Sequence, residues 1–331
     1  MKIALVKLSA LGDIVHSMVV LQFIKKYNSE ILIDWFVEES YKELLEFHPD
    51  INKLHLVNIK QAKKEKSLFT LIKEFKKFDK LDPYDLVIDM QGLMKSAIVS
   101  KLIPSKETFG FDKFSVRERF ASIFYNKTFK CSYDINIIQR NLSLVGYALG
   151  AGFDLKQVFN KEPFLYSQGH KFNVQLSDSK KNILLIPGAS HDSKRYPVSK
   201  LAEITKLIDA NFIIIWGSLK EEALAKKLKE ISLGVNICHK LQINSLVLLI
   251  SKVDLVIGPD TGPTHISWAL NVPSITLFGS TPGYRNTFET SVNRVIESKS
   301  KVNPNKIDKN DYSIKDIDVN EILLNARELL E

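Results

Sequence analysis

One stretch of the chain reads VDLVIGPDTGPTH, at residues 253–265. It joins a run of apolar residues to a turn of glycine and proline, and then to the start of a helical pattern. Such a strand, turn and helix form the βα unit of an open parallel sheet. The turn directs backbone N–H groups and the positive end of the helix dipole at one point, where a phosphate can bind. The alternative is a turn that only joins the two elements, with Asp260 or Thr261 capping the helix.

Strand and helix patterns alternate in this way along most of the chain. We predict strands at residues 2–6, 31–37, 53–57 and 84–89, and then at 182–187, 212–216, 235–238, 254–257 and 274–278. Helical patterns lie at 14–27, 41–47, 68–78, 93–102 and 135–149, and then at 198–209, 220–231, 245–250 and 264–270. Near-continuous apolar strands joined by helices are typical of parallel sheets covered on both faces. Two such series predict an α/β protein with two Rossmann-like domains.

A polar, irregular stretch at residues 152–181 separates the two series. We place the first domain at residues 1–165 and the second at 166–310. Residues 311–331 form a C-terminal helix that we expect to pack back on the first domain. Residues 117–124 show no regular pattern, and we assign them no element.

Composition excludes several classes of protein. Of the 331 residues, 45% are apolar and 25% charged, which is typical of a soluble globular protein. The longest apolar runs have only about five residues, too few to span a bilayer. The two cysteines, Cys131 and Cys238, have no zinc or disulfide spacing, so a reducing cytoplasm is expected. The seven histidines show no metal-ligand spacing, and no dinucleotide or Walker glycine motif occurs, so we expect no metal and no cofactor.

Charge favours an anionic partner. The chain has 46 basic and 38 acidic residues, a net charge of +8. Much of the positive charge lies in a basic amphipathic helix at residues 60–80, where lysines precede apolar residues at helical spacing. That helix either lies on an anionic membrane surface or packs its apolar face on a sheet. We expect no nucleic acid as partner, because no motif interleaves stacking aromatic residues with basic ones.

In open parallel sheets, ligands bind beyond the carboxyl ends of the strands. In the first domain, Gly12 is expected to permit a tight turn after the first strand, with Asp13 at the start of the next helix. Asp13 is either the helix N-cap or a carboxylate that acts as a general base. After the fourth strand, Lys95 falls in the first turn of a helix. A lysine there opposes the helix dipole, which favours a functional role.

The second domain offers further loops of this kind. The loop at residues 187–197 carries small residues, hydroxyls and the cations Lys194 and Arg195, and predicts a phosphate site. Glu221 follows a glycine turn, where it either accepts hydrogen bonds from a ribose or simply favours a helix start. Leu241 follows the third strand, where an apolar residue can cover a base.

Four motifs together resemble the bacterial lipopolysaccharide heptosyltransferases of glycosyltransferase family 9. They are Lys7-x-Ser9-x-Leu11-Gly12-Asp13-Ile14-x-His16, Gln91-Gly92-Leu93-x-Lys95-Ser96, Lys194-Arg195-Tyr196-Pro197 and Asp260-Thr261-Gly262-x-x-His265. The resemblance extends from residue 1 to about 286, with the motifs in order. His16 favours the first heptosyltransferase, which acts on an inner-core Kdo sugar, over the second.

The resemblance implies a glycosyltransferase B fold, in which two Rossmann-like domains face each other across a cleft. It implies inverting, metal-independent transfer of L-glycero-D-manno-heptose from ADP-L-glycero-β-D-manno-heptose to the Kdo of Kdo-lipid A. The enzyme would be cytoplasmic and peripheral to the inner membrane of a Gram-negative bacterium, in contact with its anionic surface. Other ADP-heptose transferases of the family, and a non-catalytic nucleotide-sugar binding protein, remain as alternatives.

The resemblance also assigns roles to residues. Asp13 would be the catalytic base. The donor-binding residues would be Ser190, Lys194, Glu221, Leu241, Asp260, Thr261, Gly262 and His265. The acceptor-binding residues would be Lys7, Ser9, Gly12, His16, Lys95, Arg117 and Arg140.

Overall fold

The computed structural model describes residues 1–65, 67–169 and 171–331, and it divides into two compact units. The first unit is Met1–Lys161 and the second is Glu162–Glu331. Lys66, which the sequence analysis assigned to the basic helix, lies outside the described residues.

The first unit is a six-stranded parallel sheet with helices between its strands. Its strands are β1 (Lys2–Val6), β2 (Leu32–Glu38), β3 (Lys53–Val57), β4 (Tyr84–Asp89), β5 (Ser105–Phe111) and β6 (Lys127–Phe129). Its helices are α1 (Leu11–Met18), α2 (Val20–Tyr27), α3 (Ile59–Glu65), α4 (Leu68–Lys76), α5 (Met94–Leu102) and α6 (Ile137–Leu149). Short 3-10 turns lie at Glu39–Leu44, Phe78–Lys80, Arg119–Phe124 and Leu155–Asn160. The strand order is β3-β2-β1-β4-β5-β6.

The second unit repeats this plan. Its strands are β7 (Asn182–Leu185), β8 (Asn211–Ile214), β9 (Asn236–Ile237), β10 (Leu255–Pro259), β11 (Ser274–Phe278) and β12 (Asn293–Glu297). Its helices are α7 (Val198–Leu207), α8 (Leu219–Ile231), α9 (Ile243–Ile250), α10 (Gly262–Ala269), α11 (Gly283–Asn286) and α12 (Val319–Leu330). Two 3-10 turns lie at Asp192–Lys194 and Ser313–Asp316. The strand order is β12-β11-β10-β7-β8-β9, again with parallel pairing. The predicted α/β fold with two Rossmann-like sheets is confirmed.

The strand order marks one position in each sheet where ligands bind. Strand order reverses between β1 and β4 in the first sheet, and between β7 and β10 in the second. At such a switch point the loops that follow the two strands leave toward opposite faces and open a crevice. Ligand-binding and reacting side chains are therefore expected in the segments that follow these four strands.

The sequence analysis did not predict three of the strands, β5, β6 and β12. Strand β5 reads SKETFGF, and its charged first half, which includes Lys106 and Glu107, hides the apolar pattern. Strand β6 has only three residues, and β12 lies at the sheet edge with the sequence NRVIE. Edge strands need fewer apolar residues, because neighbouring strands and helices cover less of them.

The C-terminal helix differs from expectation, because it belongs to the second unit. Helix α12 packs against α7, β10 and β11. Its residues Val319, Ile322, Leu323 and Ala326 are buried in the core of that unit. Helix α12 therefore completes the core of the second unit.

The basic amphipathic segment is two helices, α3 and α4, followed by a 3-10 turn. Phe75 and Phe78 pack on the core of the first unit, as one alternative expected. Phe69 and Ile72 are instead 78% and 53% exposed. Among the described residues, no helix combines the length and the apolarity that crossing a bilayer requires.

The turn after β4 depends on Gly92, whose φ is +66°. A Cβ on this residue would lie 2.6 Å from Cγ1 of Val116. We predict that Gly92→Ala lowers the free energy of unfolding of the first unit by more than the roughly 1–2 kcal/mol of left-handed strain. Gly150→Ala is the matched control, because Gly150 has φ +64° but open space around it. Urea unfolding of both variants checks this, and equal losses would show that the contact with Val116 is harmless.

Candidate active site

In the first unit, hydrogen bonds tie the loop after β1 to the loop after β4. The side-chain oxygen of Gln91 accepts from the backbone N–H groups of Leu8, at 2.8 Å, and Ser9, at 3.3 Å. The ammonium of Lys95 donates to the Ser9 hydroxyl at 2.6 Å. The ammonium of Lys7 donates to the Met90 carbonyl at 2.9 Å. These hydrogen bonds join the loop after β1 and the segment after β4 into one surface, and Lys95 lies on that surface.

Asp13 lies on this surface, in the first turn of α1, and is exposed. Its Oδ2 atom accepts a hydrogen bond from the Ala10 N–H at 3.2 Å. The N-cap is Ala10, so the alternative that made Asp13 the N-cap is wrong by three positions. Gly12 lies within α1, and the tight turn expected at this residue is not formed there. An exposed carboxylate beside the Lys95 charge is suitably placed to accept a proton from a bound hydroxyl.

Lys95 is half-buried at the carboxyl edge of the sheet, near an acid that the sequence analysis missed. Burial lowers the pKa of the Lys95 ammonium, and the charge of Glu38 opposes this. Glu38 ends β2 and is buried, and burial raises the pKa of its carboxyl. Its position at a strand end was the available signal, but the predicted strand, residues 31–37, ended one residue before Glu38.

Asp89 ends β4 and holds the loop beneath this surface in place. Its carboxylate is fully buried and accepts from the N–H groups of Gln91, at 2.8 Å, and Gly92, at 3.2 Å. The Tyr125 hydroxyl donates to it at 2.7 Å. Burial raises the pKa of the Asp89 carboxyl, and these neutral donors only partly oppose that shift. Asp89 is thus a positioning residue for Gln91, which in turn holds the loop after β1.

Gly110, on β5, makes room for the ring of Tyr125. A Cβ at Gly110 would lie 2.3 Å from that ring. The sequence analysis did not predict this role, because β5 itself was not recognised. Tyr125 follows the irregular region in sequence, and nothing in the local pattern indicates a buried hydroxyl.

In the second unit, the carboxylate of Asp260 contacts side chains from the segments that follow three strands, β7, β10 and β11. Lys194 Nζ lies 2.8 Å from Oδ2, and Nε2 of His265 lies 2.9 Å from Oδ1. The Thr281 hydroxyl donates to Oδ2 at 2.7 Å, and the Asn286 amide donates to it at 3.2 Å. Burial alone would raise the pKa of Asp260, but the charge of Lys194 and the hydrogen bond from His265 hold it well below its usual range. This cluster spans the switch point between β7 and β10.

Helix α10 begins at the same point. Its N-cap is Thr261, whose side chain makes no capping hydrogen bond, and Gly262 is its first residue. The Thr264 hydroxyl instead donates to the Pro259 carbonyl at 2.8 Å. Thr261 therefore takes the N-cap position that one alternative gave it, but its side chain does not cap the helix by a hydrogen bond. The start of α10 next to the Lys194 ammonium is a suitable place for an anion.

The remaining donor candidates lie on neighbouring loops. Ser190 is exposed on the loop after β7, and Leu241 is half-buried between β9 and α9. Glu221 Oε2 accepts from the N–H groups of Gly217, at 2.8 Å, and Ser218, at 2.9 Å, so Glu221 closes the start of α8 as one alternative expected. Its carboxylate also lies against Gly188, where a Cβ would be 2.5 Å from Oε1. The carboxylate therefore reaches the loop after β7, where Ser190 lies.

Three predicted acceptor residues are buried and act within the protein. Lys7 is 3% exposed, with its ammonium on the Met90 carbonyl, and His16 is 2% exposed inside α1. Arg140 is 2% exposed and donates to the backbone carbonyls of Ser115, Cys131 and Ser132. Burial of all three side chains argues against their direct contact with an acceptor. For Lys7 and Arg140, apolar periodicity does not reveal a cation that is buried among carbonyl groups. Of the predicted acceptor cations, Lys95 is half-buried and Arg117 exposed.

The structure also adds residues that the sequence analysis did not select. Thr281 and Asn286 follow β11, and a small-residue turn after a predicted strand was the signal for them. Within the described ranges, no group of three or more His, Cys, Asp or Glu side chains could hold a metal ion.

Comparison with known proteins gives consistent similarities. A model of glycosyltransferase family 9 (heptosyltransferase) matches residues 73–311. The chain is 42% identical to lipopolysaccharide heptosyltransferase 1 of Campylobacter coli, over 99% of both chains. Its fold is similar to that of E. coli heptosyltransferase WaaC with ADP, with a TM-score of 0.79 and 24% identity over 99% of this chain and 100% of the other. The fold is also similar to that of E. coli WaaC with ADP-2-deoxy-2-fluoro heptose, with a TM-score of 0.76. The identity is 23%, over 98% of this chain and 100% of the other.

The hydrogen bond of Tyr125 can be tested by removing its hydroxyl alone. We predict that Tyr125→Phe lowers the free energy of unfolding by about 1–3 kcal/mol, because a buried carboxylate loses one donor. Tyr147→Phe is the control, since the Tyr147 ring is half exposed. Chemical unfolding followed by circular dichroism measures both, and an unchanged midpoint for Tyr125→Phe would contradict the role of this hydroxyl.

The Asp260 cluster predicts a pH dependence with a definite sign. Because the pKa of Asp260 in the folded protein lies below the unfolded value of about 4, its ionised form stabilises the fold above that pH. At pH 7 we expect Asp260→Asn to cost about 3 kcal/mol, since it leaves Lys194 without its partner. The difference from wild type should shrink as the pH falls below about 4. Unfolding measured from pH 3 to 7 tests this, with Asp209→Asn, which is exposed, as control; a difference independent of pH would refute it.

Proposed function

Because the chain belongs to glycosyltransferase family 9, the heptosyltransferases, we propose that it transfers L-glycero-D-manno-heptose from ADP-heptose to the Kdo of Kdo-lipid A. It is a glycosyltransferase, and its resemblance to heptosyltransferase 1 assigns it to ADP-heptose transfer in lipopolysaccharide core synthesis. The Kdo-lipid A acceptor, the catalytic role of Asp13 and catalysis without a metal are the steps that we propose beyond this.

One observation carries the donor half of the proposal: the Lys194–Asp260 pair at the start of α10. The leaving group, ADP, departs with the electron pair of the broken bond between the anomeric carbon and the phosphate oxygen. Negative charge therefore develops on the diphosphate, and a cation held in place beforehand stabilises it best. Asp260 holds the Lys194 ammonium, and the helix dipole of α10 adds positive potential. We assign the diphosphate to this point, Glu221 to the ribose and Leu241 to the adenine.

The same residues offer a reason why no metal is needed. In many transferases a divalent cation neutralises the leaving diphosphate. Here the Lys194 ammonium and the backbone N–H groups at the start of α10 supply positive charge at the corresponding place. Ser190 lies on the loop after β7 and His265 in the first turns of α10, and both would contact the phosphates or the heptose.

The acceptor half of the proposal belongs to the first unit. The acceptor hydroxyl attacks the anomeric carbon from the side opposite the diphosphate, so the configuration inverts, and its proton passes to the carboxylate of Asp13. Lys95, which is held by Ser9, would bind the Kdo carboxylate, and Arg117 would meet a lipid A phosphate. Each unit thus contributes one half of the reaction.

The acceptor is a lipid, so the protein has to work at a membrane surface. We place the reaction at the cytoplasmic face of the inner membrane of a Gram-negative bacterium, with the protein bound peripherally. Four exposed lysines and two exposed apolar residues of α3 and α4 are suited to an anionic surface: Lys60, Lys64, Lys73, Lys76, Phe69 and Ile72.

The first test is ADP release from ADP-heptose and de-acylated Kdo-lipid A, with EDTA present. We predict turnover by wild type, and a loss of about 100-fold to 10,000-fold in kcat for Asp13→Asn with ADP binding unchanged. Asp79→Asn, an exposed acid on a 3-10 turn, should match wild type. Lys194→Ala should instead weaken ADP binding.

The other outcomes identify which part fails. Loss of wild-type turnover with EDTA, restored by a divalent cation, would contradict catalysis without a metal. Full turnover by Asp13→Asn would exclude Asp13 as the base. Turnover only on an acceptor that already carries heptose would make the protein a second heptosyltransferase. If the protein binds ADP-heptose but turns over neither acceptor, it is a non-catalytic nucleotide-sugar binding protein.

A further inference from the structure

We propose that residues 113–123, the docking segment, insert into an anionic lipid bilayer. The docking segment follows β5 and includes most of the 3-10 turn Arg119–Phe124. The proposal rests on the proposed function only in that the acceptor is a membrane lipid. Binding of the docking segment to lipid can be measured without any acceptor.

Three large apolar side chains of the docking segment are exposed. Phe114 is 68%, Phe120 75% and Ile123 72% exposed. A 3-10 helix has three residues per turn, so Phe120 and Ile123 lie on the same face. The residue next to Phe120, Ala121, is fully buried and packs with Ala97 of α5. The apolar face of Phe120 and Ile123 therefore points away from the core, and the packing of Ala121 prevents it from turning inward.

Cations surround these apolar side chains. Lys113, Arg117 and Arg119 are exposed, and Lys113 Nζ lies 5.0 Å from the centre of the Phe114 ring. Glu118 is the one acid among residues 113–123, and its carboxylate accepts a hydrogen bond from the Met94 N–H at 2.6 Å, at the start of α5. Exposed apolar side chains interspersed in sequence with exposed cations match a surface of acyl chains beneath anionic phosphates. We therefore favour a bilayer over a protein partner as the occupant.

Hydrogen bonds fix the backbone at the base of the docking segment. The Asp112 carboxylate accepts from the N–H of Phe114 at 3.1 Å and from the hydroxyl of Ser115 at 2.5 Å. The Arg140 guanidinium donates to the Ser115 carbonyl at 2.5 Å and to the Cys131 carbonyl at 2.9 Å. Arg140 thus supports the docking segment, in place of the acceptor contact that the resemblance assigned to it.

The position of the docking segment fits a lipid acceptor. It leaves β5 at the carboxyl edge of the first sheet, the edge that also carries Asp13 and Lys95. Glu118 contacts the residue directly before Lys95. With Phe120 and Ile123 inserted among acyl chains, the sugar of a lipid in the same leaflet can reach Lys95 without leaving the membrane.

The first experiment measures binding to vesicles of phosphatidylethanolamine and phosphatidylglycerol at a ratio of 3:1. We expect wild type to bind, and the double variant Phe120→Ser/Ile123→Ser to partition about tenfold less. The matched control is Leu233→Ser/Leu324→Ser, because Leu233 and Leu324 of the second unit are 79% and 61% exposed. Lys113→Gln/Arg119→Gln should lose binding to these vesicles most strongly at low salt, where charge attraction is least screened. Thermal unfolding confirms that each variant is folded.

The second experiment separates this inference from the proposed function. The Phe120→Ser/Ile123→Ser variant should keep its turnover on de-acylated Kdo-lipid A and lose it on Kdo-lipid A embedded in the same vesicles. Wild-type vesicle binding without turnover on either acceptor would overturn the proposed function and leave the docking segment standing. Vesicle binding by the variant equal to wild type, or a loss equal to that of the control, would overturn the docking segment. So would a wild-type dimer that dissociates in the variant, since the exposed face would then belong to a second copy of the chain.

Discussion

A buried carboxylate at the end of a strand has to be met by several donors, and this requirement organises both halves of the protein. Each sheet has the same strand order, and in each the fourth strand in sequence, β4 or β10, leads to such an acid. Asp89 draws together the loop after β4 and Tyr125, while Asp260 draws together Lys194, His265 and the residues after β11. The loops that carry the candidate site take their shape from these two acids.

Asp89 and Asp260 differ in the charge of their partners, and because of that difference they have different roles. Asp89 has neutral donors, and burial raises its pKa, so it serves to fix the backbone of a turn. Asp260 has a lysine and a histidine, and its pKa lies well below the usual range. A carboxylate that stays ionised holds the Lys194 ammonium in a fixed place at the start of α10. The second unit is accordingly the one suited to an anionic leaving group.

Much of the fold follows from the sequence, because buried parallel strands are continuous apolar runs that the helices interrupt. The strands that escaped, β5, β6 and β12, are short, at an edge or charged in part, so their apolar period is too weak to detect. The motif residues Lys194, Asp260 and His265 do come together, since all three follow adjacent strands. The burial of Lys7, His16 and Arg140 did not follow from the pattern. Whether a cation meets solvent or a carbonyl depends on chain segments far away in sequence.

The Arg140 guanidinium lies at the base of the docking segment, where it donates to the carbonyls of Ser115 and Cys131. Because its hydrogen bonds go to backbone carbonyls, they do not depend on which side chains occupy the outer part of that segment. The outer part is therefore a replaceable module. If the docking segment binds a bilayer as proposed, exchanging Phe120 or Ile123 would change the affinity for lipid while the hydrogen bonds of Arg140 keep the base of the segment in place.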